Sequence, residues 1–433
     1  MSAWKKTPFE SLLVDSKDGE WGESEAAVGL REALIVRGTD FPHLGEPNAD
    51  FPKRWIRNNI IDRKQLQPGD IILETAGGTS SQSTGRSALL KRSFFDHHSE
   101  VPVLCASFSR HLRLDTNKYS PGFIFYLLQT LYRTGYMAVF NIQHTGVSRF
   151  QYTSFKTHTE LRIPELPIQK KIAAILSSYD ELIENNNRRI ALLEKLAEEI
   201  YREWFVRFRF PGHEKVKLVK GVPEGWERKH LPDLANITYG FPFDGARFNT
   251  AGRGKPIIRI RNIPDSATSD YTDEIADDRY IVSHGDLLVG MDGEFHINHW
   301  QGDAAYLVQR VCRIKARNPL LDGYLAYAIR APIKHFESIL MGATVGHLGA
   351  THLKSIELLV PPEHLQPRLH ILNDIHRQKL FLAVGARTLS RTRDQLLPRL
   401  ISGKLSVENL DIQFPPGMAE DPLNAQPAVA AHA

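Results

Sequence analysis

The sequence has little cysteine and no long apolar run. Among its 433 residues there are two cysteines, Cys105 and Cys312, too few for a disulfide framework or a thiolate zinc site. It has no stretch of about 18 apolar residues to span a membrane, and its opening residues lack the apolar core of a secretion signal. We therefore expect a cytoplasmic protein that has no membrane partner and uses no sulfur chemistry.

The composition is that of an ordinary globular protein of about two to four domains. Hydrophobic residues make up 42% and charged residues 24% of the chain. The formal net charge of +4 is unevenly spread: residues 51–165 carry +7 and residues 364–405 carry +6, whereas residues 1–50 carry −5 and residues 223–363 carry −3. A charge run is usually a solvated face, so charge alone assigns no partner.

The chain contains the same pattern twice. Residues 36–41 resemble residues 258–263, and further short segments recur in the same order at an offset that falls from 222 to 197 residues. The other matches are 69–73 with 285–289, 122–126 with 323–327, Phe150 and Phe155 with Leu348 and Leu353, and Pro164 and Gln169 with Pro361 and Gln366. This order is typical of a duplication with deletions in the second copy. Short apolar runs alternate with turn residues in each copy and one helical segment follows, which predicts a compact α+β domain.

Each copy is followed by a long amphipathic segment. Apolar residues alternate at spacings of three and four along residues 168–207, a stretch without proline or glycine, and the same spacing returns 196 residues later. The predicted helix–helix seam consists of Ile172, Leu176, Tyr179, Ile183, Ile190, Leu193, Ile200, Trp204, Leu372, Ile375, Leu382, Leu389, Leu396 and Leu400. Two such helices bury their stripes most economically on each other, although partner chains could compete for them.

Three residues interrupt this pattern. Asn186 lies within the first stripe, either as a polar residue that specifies register or as a tolerated surface asparagine. Gly385 and Pro398 weaken the second helix, and Pro398 predicts a kink or an end near Leu397.

The predicted fold class is α+β, with two tandem domains related by a pseudo-twofold axis, each followed by a long helix, and with the two helices packed as an antiparallel coiled coil. The predicted boundaries are 1–165 for the first domain, 166–208 for the central helix, 209–226 for a linker, 227–363 for the second domain, 364–405 for the C-terminal helix and 406–433 for a disordered tail. A stiff spacer between two related domains suits a split DNA target, because groove faces of a duplex repeat about every 34 Å.

Several segments also resemble a known family. The runs LEKLAEEIYREWF at 193–205, RFRFPGHE at 207–214, PEGWE at 223–227 and LLPRLISGKL at 396–405 are similar to those of the specificity subunit of type I restriction–modification systems. The resemblance extends over about residues 30–405 and includes the duplicated layout.

This resemblance implies two target-recognition domains, each of which reads one half of a bipartite, asymmetric sequence in double-stranded DNA. It also implies helices that dock two copies of a DNA methyltransferase (modification) subunit, with which restriction/translocase subunits can assemble. The chain itself would be non-catalytic and would bind no cofactor, because the partner methyltransferase brings S-adenosylmethionine and methylates adenine N6.

Two other functions stay open as alternatives. A catalytic DNA methyltransferase or nuclease is disfavoured because neither Pro-Pro pair, at 361–362 and 415–416, lies in an Asn/Asp-Pro-Pro-Tyr/Phe motif, and the glycine-rich residues 77–86 lack the spacing and lysine of a phosphate-binding loop. No metal is predicted, since His296 and His299 have no third ligand at a convincing spacing. The second alternative is a coiled-coil protein scaffold without sequence-specific DNA binding.

Two loops in each copy carry side chains suited to DNA. Phosphates bind basic and small hydroxyl side chains, whereas bases are read by arginine, amides and carboxylates. The candidates are Ser83, Thr84, Arg86, Lys91, Arg92, His144, Ser148 and Arg149 in the first copy and Asp292, Glu294, His296, Asn298, His299, Thr344 and His347 in the second. The alternative is that they are solvated loop residues without a special role. Six acidic residues between Asp265 and Asp278 would have to face away from phosphates.

Overall fold

The computed structural model of the chain describes residues 4–46, 49–78, 82–144, 147–340 and 346–414, with the backbone alone at 143, 144 and 147. The chain divides into two compact units, one formed by residues 1–184 and 388–433 and the other by residues 185–387. Because this division passes through both long helices, each unit combines one domain with part of each helix. The predicted boundaries divide the chain along the sequence instead, and they stay predictions.

The central strand of the first domain is apolar on both faces. Ile71 and Leu73 pack towards the helix Pro121–Arg133, whereas Ile72 faces a second, smaller sheet. Because both faces of this strand are buried, Ile71, Ile72 and Leu73 form a continuous apolar run, and apolar and polar residues do not alternate. The main antiparallel sheet has the spatial order Leu13–Asp18, Ser109–Leu114, Ile71–Glu74 and Ser87–Leu89. The smaller sheets are Lys53–Arg57 with Leu30–Val36 and Val103–Cys105, Asn141–His144 with Val147–Phe150 and Ala76–Gly78, and Lys5–Pro8 with Glu160–Ile163. The other short α-helices are Asn58–Lys64, Arg92–His97 and Tyr152–His158.

The second domain repeats this topology. Its main sheet has the order Ala235–Tyr239, Val311–Ala316, Leu287–Gly290 and Ile297–His299. Its other sheets are Phe248–Asn249, Tyr271–Thr272, Lys255–Ile258, Ala305–Leu307 and Ile281–Val282 in one, Glu227–His230 with Glu357–Val360 in another, and the small hairpin Leu218–Val219 with Val222–Pro223. Its α-helices are Leu231–Leu234, Asp322–Ala328, Arg330–Leu340 and Ala350–Ser355. The predicted duplication and mixed α+β class are therefore confirmed.

A glycine–aspartate turn starts the central strand in both domains. Gly69 and Gly285 have φ angles of 89° and 90°, in the left-handed region that favours glycine. The carboxylates of Asp70 and Asp286 each accept a hydrogen bond of 2.8 Å from the backbone N–H three residues earlier. The repeated Gly-Asp pair therefore marks one turn that is built twice.

The long helices run from Leu166 to Tyr201 and from His370 to Ile401. In the first unit, Ile172 and Leu176 near the start of the first helix share a core with Leu397 and Leu400 near the end of the second. In the other unit, the end of the first helix shares a core with the start of the second. The helices are therefore antiparallel, as predicted. Every residue of the predicted seam is buried or half-buried.

Of the kink or end predicted near Leu397, the end is wrong, and the kink stays a prediction. The helix continues to Ile401, with Pro398 inside its last turn. Pro398 is exposed, and its missing N–H removes a single helical hydrogen bond, while the buried neighbours Leu397 and Leu400 hold the turn against the core. Gly385 was also expected to weaken this helix, and its surroundings explain why a glycine is found there. A Cβ at this position would lie 3.3 Å from the amide nitrogen of the half-buried Asn186.

The predicted disordered tail is wrong for its first residues. Val407 is buried in the core of the first unit, and the ammonium of Lys171 donates to the carbonyl oxygens of Glu408 and Leu410 at 2.9 and 2.7 Å. An apolar anchor and two backbone acceptors hold residues 406–414 against the first helix, which composition alone did not reveal. Residues 415–433 of the predicted tail lie outside the described residues.

Candidate nucleic-acid interface

One end of each domain is built with the same backbone hydrogen bonds. We call it the loop end: residues 74–78, 107–108 and 148–150 in the first domain, and residues 290–294, 309–310 and 346–348 in the second. The N–H of Thr75 donates to the carbonyl of Phe108 at 2.8 Å, and the N–H of Met291 donates to that of Arg310 at 2.8 Å. The carbonyl of Thr75 accepts from the N–H of Phe150 at 2.8 Å, and the carbonyl of Met291 accepts from the N–H of Leu348 at 2.7 Å.

In the second copy, the loop end brings together the two loops that were predicted separately. Arg149 lies opposite Ala76 in the pairing of their strands, and Asp292 forms an isolated bridge with His347. These two pairs occupy matched positions, because the backbone register of both domains is the same. In the second copy, the candidates Asp292 and His347, 55 residues apart, are thus strand neighbours, whereas in the first copy the neighbour of Arg149 is Ala76, which was not predicted.

In the first domain, much of the predicted polar loop supports the fold. Arg86 forms a two-point ion pair with the buried carboxylate of Glu74, with N–O distances of 2.9 and 2.5 Å, and this hydrogen bonding raises the pKa of Arg86. The hydroxyl of Thr84 is buried and donates to the side-chain oxygen of Asn141. The carbonyl of Ser83 accepts from the hydroxyl of Tyr132 at 3.0 Å.

Arg149 and Phe108 are large exposed side chains of the first loop end. Arg149 makes no side-chain hydrogen bond or ion pair with the described residues and is exposed, whereas its neighbour Ser148 is buried. Phe108, which sequence reasoning missed, is 63% exposed. An exposed guanidinium and an exposed aromatic ring on the same loop end are well suited to nucleic acid.

In the second domain, Asp292 organises the loop end. Its carboxylate binds Nδ1 of His347 at 2.5 Å and a guanidinium nitrogen of Arg310. Burial raises the pKa of Asp292, but the hydrogen bonds from these two groups outweigh burial and lower it overall. Asp292 is 14% exposed, while Arg310 and His347 are 58% and 56% exposed. The carboxylate is therefore a support that presents a guanidinium and an imidazole outward.

Four candidates lie at the end of their hairpins that is remote from the loop end: Lys91, Arg92, Asn298 and His299. The second strand of each antiparallel hairpin returns to where the first began, and these residues belong to that return. Lys91 and Arg92 are exposed there, and the charge of Lys91 partly offsets the rise that burial causes in the pKa of Glu181 on the first long helix. Asn298 donates to the carbonyls of residues 263 and 264 at 3.1 and 3.0 Å. The His299 ring lies 3.9 Å from that of His376 on the second long helix.

The remaining candidates are less informative. Glu294 is exposed and its carboxylate lies 3.5 Å from Nε2 of His296. His144 belongs to the strand Asn141–His144, and its side chain lies outside the described part of the chain. Thr344 lies outside the described residues altogether.

The long helices of the first unit carry a half-buried polar cluster. Asp180 accepts a 2.5 Å hydrogen bond from the hydroxyl of Tyr126 and pairs with Arg393 of the second helix. Burial and the neighbouring carboxylate raise the pKa of Tyr126 well above its usual value. Arg393 also contacts Asp394, to which Arg133 of the domain donates at 2.6 Å.

A similar cluster lies in the second unit. Glu194 of the first helix accepts from the hydroxyl of Tyr327 at 3.1 Å, from Arg330 at 2.7 Å and from the ammonium of Lys379 on the second helix. Burial raises the pKa of Glu194, but these donors lower it overall. Tyr126 and Tyr327 occupy matched positions in the repeat, so in both units a tyrosine of the domain donates to a helix carboxylate that is paired across the helix seam.

Both domains match the same family. The family model described as the type I restriction modification DNA specificity domain matches residues 57–195 and 223–377, which is more than half of the chain. The chain belongs to this type I restriction–modification DNA specificity family. The family predicted from the helix and linker motifs is therefore confirmed.

Individual proteins are similar to this DNA specificity protein. The type I restriction enzyme MjaIX specificity subunit of Methanocaldococcus jannaschii is 26% identical over 311 residues, 67% of this chain and 71% of that protein. The type I restriction enzyme EcoBI specificity subunit of Escherichia coli is 31% identical over 196 residues, 44% of this chain and 41% of that protein. A crystal structure of the S subunit from M. genitalium superposes with a TM-score of 0.59 at 16% identity, covering 92% of this chain and 96% of that one, which supports the fold.

Other site chemistry is limited in the described part of this DNA specificity protein. Both cysteines are buried, and burial raises the pKa of each thiol to about 12, which makes thiolate chemistry unfavourable. Within the described ranges, no three His, Cys, Asp or Glu side chains are grouped to hold a metal ion. Across the same residues, we find no helix with the length and apolar character needed to cross a membrane.

Proposed function

We propose that this chain is a DNA sequence-specificity subunit that reads a bipartite, asymmetric target in double-stranded DNA, one half-site with each domain. The observation that carries the proposal is that one backbone framework presents different side chains at matched positions of the two loop ends. Ala76 corresponds to Asp292, Phe108 to Arg310, and Arg149 to His347. Equivalent frameworks with unequal polar side chains are what two different half-sites require.

The long helices would dock methyltransferase subunits. Large apolar residues remain exposed on them outside the seam: Leu182, Leu192, Leu196 and Phe381 are 51%, 60%, 50% and 78% exposed. Such residues on a helix whose apolar stripe is already buried favour contact with another protein. We propose two copies of a methyltransferase as partners, which would bind S-adenosylmethionine and methylate adenine, with restriction/translocase subunits joining indirectly. This chain would contribute recognition and no catalysis, in the cytoplasm.

A domain exchange tests this function. Residues 1–165 are replaced by the first domain of another family member, and the chimaera is expressed with the methyltransferase in a host whose methylated adenines are then sequenced. We expect one half-site to change and the other to stay, because each domain has its own loop end. The unmodified chain in the same host is the control. A change in both half-sites would contradict separate reading.

The same preparations separate the alternatives. A catalytic enzyme would methylate or cut DNA when the purified chain is given S-adenosylmethionine alone. A protein scaffold would show no sequence-selective DNA retention even with the methyltransferase present. Either result would overturn the proposed function.

A further inference from the structure

The second domain has a basic groove that the predicted DNA residues did not include. It encloses about 390 Å³ and is lined by Phe243, Phe248, Arg259, Arg261 and Gln309, with Arg310 of the loop end at its edge. Aromatic walls with three guanidinium groups and an amide form an anion-attracting and hydrogen-bonding surface. Its position connects the groove directly to the loop end through Arg310.

One difference in the repeat changes the surroundings of an arginine that both domains carry at the same turn. Arg37 is bound by the carboxylate of Asp40, with Nη2 at 2.8 Å and Nε at 3.0 Å. In the second domain, Asn262 takes the place of Asp40. Its side-chain oxygen still accepts from the backbone N–H of Arg259 at 2.9 Å, but it carries no charge. The same turn is kept, while the guanidinium of Arg259 is left to lie over the ring of Phe248 at 5.7 Å.

Arg310 is held in an unusual conformation. Its backbone φ angle is 71°, in the left-handed region that residues other than glycine rarely adopt. Its carbonyl accepts from the N–H of Met291. Its guanidinium donates from one amino group to Asp292, which leaves the rest of a five-donor fork on a side chain that is 58% exposed. A guanidinium oriented by a carboxylate loses less freedom when it binds a planar acceptor pair.

The acidic residues nearby do not oppose this arrangement. Asp270 pairs with Arg261 at 2.5 Å, and Asp273 pairs with Arg247 at 2.8 Å. Asp277 accepts from the backbone N–H of Arg279 at 2.8 Å. These members of the predicted acidic cluster are engaged in ion pairs and turns, and Asp270 offsets the charge of Arg261, so Arg259 is the guanidinium of the groove that has no carboxylate partner among the described residues.

We propose that this groove takes the DNA of the second half-site, with Arg310 reading the edge of a guanine and Arg259 contacting a flanking phosphate. The inference rests on the proposed function and names its contacts. Guanine is chosen because its O6 and N7 match a guanidinium fork, the commonest specific arginine contact in the major groove. Asp292 then acts as the positioning residue of Arg310.

The test selects sequences from a library of random duplexes with the assembled methyltransferase complex. Arg310→Lys keeps the charge but removes the fork, and Arg310→Gly removes the side chain while suiting the positive φ. We expect both variants to relax one G·C position of the second half-site by roughly 5- to 150-fold. Arg259→Gln should weaken binding at all sequences alike and reduce the salt slope by about 1.

The first half-site is an internal control in every selection, and Arg253→Gln, which removes an exposed guanidinium outside the groove lining, is the matched control. If the unmodified complex selects no sequence, the proposed function fails. If it selects two half-sites but Arg310→Lys leaves the second unchanged, or alters the first, this inference alone is wrong. Circular dichroism of each variant, compared with the unmodified chain, verifies that the fold is kept.

Discussion

Glu194 is expected to be a sensitive polar residue of the helix pair. It accepts from Lys379, Arg330 and Tyr327, so Glu194→Ala leaves three donors without their acceptor. Removing one partner from a fully buried ion pair costs about 3–5 kcal/mol, whereas exposed pairs contribute about 0–1 kcal/mol. The side chains of Glu194 and Lys379 are 27% and 15% exposed, which places the expected loss between these limits, at about 2–3 kcal/mol.

Two further variants distinguish charge from packing. Glu194→Gln keeps the shape and should lose about 1 kcal/mol, since neutral hydrogen bonds are weaker than charged ones. The double variant Glu194→Leu with Lys379→Met should lie within about 1 kcal/mol of the original, because an apolar pair removes the unpaired charge. Arg330 keeps its 2.8 Å contact with Glu198 in that variant. The control is Glu199→Ala, whose side chain is 55% exposed.

The assay is urea unfolding combined with hydrogen exchange of peptides from residues 185–201, because a chain with two compact units need not unfold in one transition. Exchange reports the local free energy of opening of this helix segment. A loss below about 0.5 kcal/mol for Glu194→Ala, or a double variant no more stable than the single one, would refute the reasoning.

Two other predictions concern stability. Val407→Ala should destabilise the first unit by about 1–2 kcal/mol because Val407 is buried in its core, whereas exposed Asn409→Ala should change little; urea midpoints measure both, and equal effects would contradict the anchoring of residues 406–414. Burial lowers the pKa of His376 to about 4, with the charge of Lys379 adding to this, so the unfolded chain binds protons first as the pH falls. The stability of the second unit should therefore decline between about pH 6.5 and 4, and His376→Asn should reduce that decline; an unchanged pH dependence would show that His376 does not contribute.

The helix pair shows how far local patterns reach. Apolar residues that recur every three or four positions predicted the long helices and their seam, because helical periodicity depends on neighbours within a few residues. The same reasoning wrongly allowed a helix end at Pro398, where the buried Leu397 and Leu400 outweigh one lost hydrogen bond. It also missed Val407, a single apolar residue in a segment whose composition indicates disorder.

The loop ends show a different limit. Arg86 and Arg149 look alike in the sequence, yet Arg86 is bound by Glu74 while Arg149 is exposed. Lys91 and Arg86 are five residues apart, but they lie at opposite ends of one hairpin. Phe108 and Arg310 are 202 residues apart, close to the offset of 201 between residues 122–126 and 323–327, so the repeat itself contains the signal that matches them.

The sequence by itself determined the duplication, the two long helices and the glycine–aspartate turns, since each depends on short-range spacing and on backbone preferences. Only the tertiary structure decided which loops meet, which arginines are already paired and which remain available. The availability of a charged side chain depends on the atoms that surround it in space. Asp40 and Asn262 support the same turn, but one neutralises its arginine and the other leaves it free to bind.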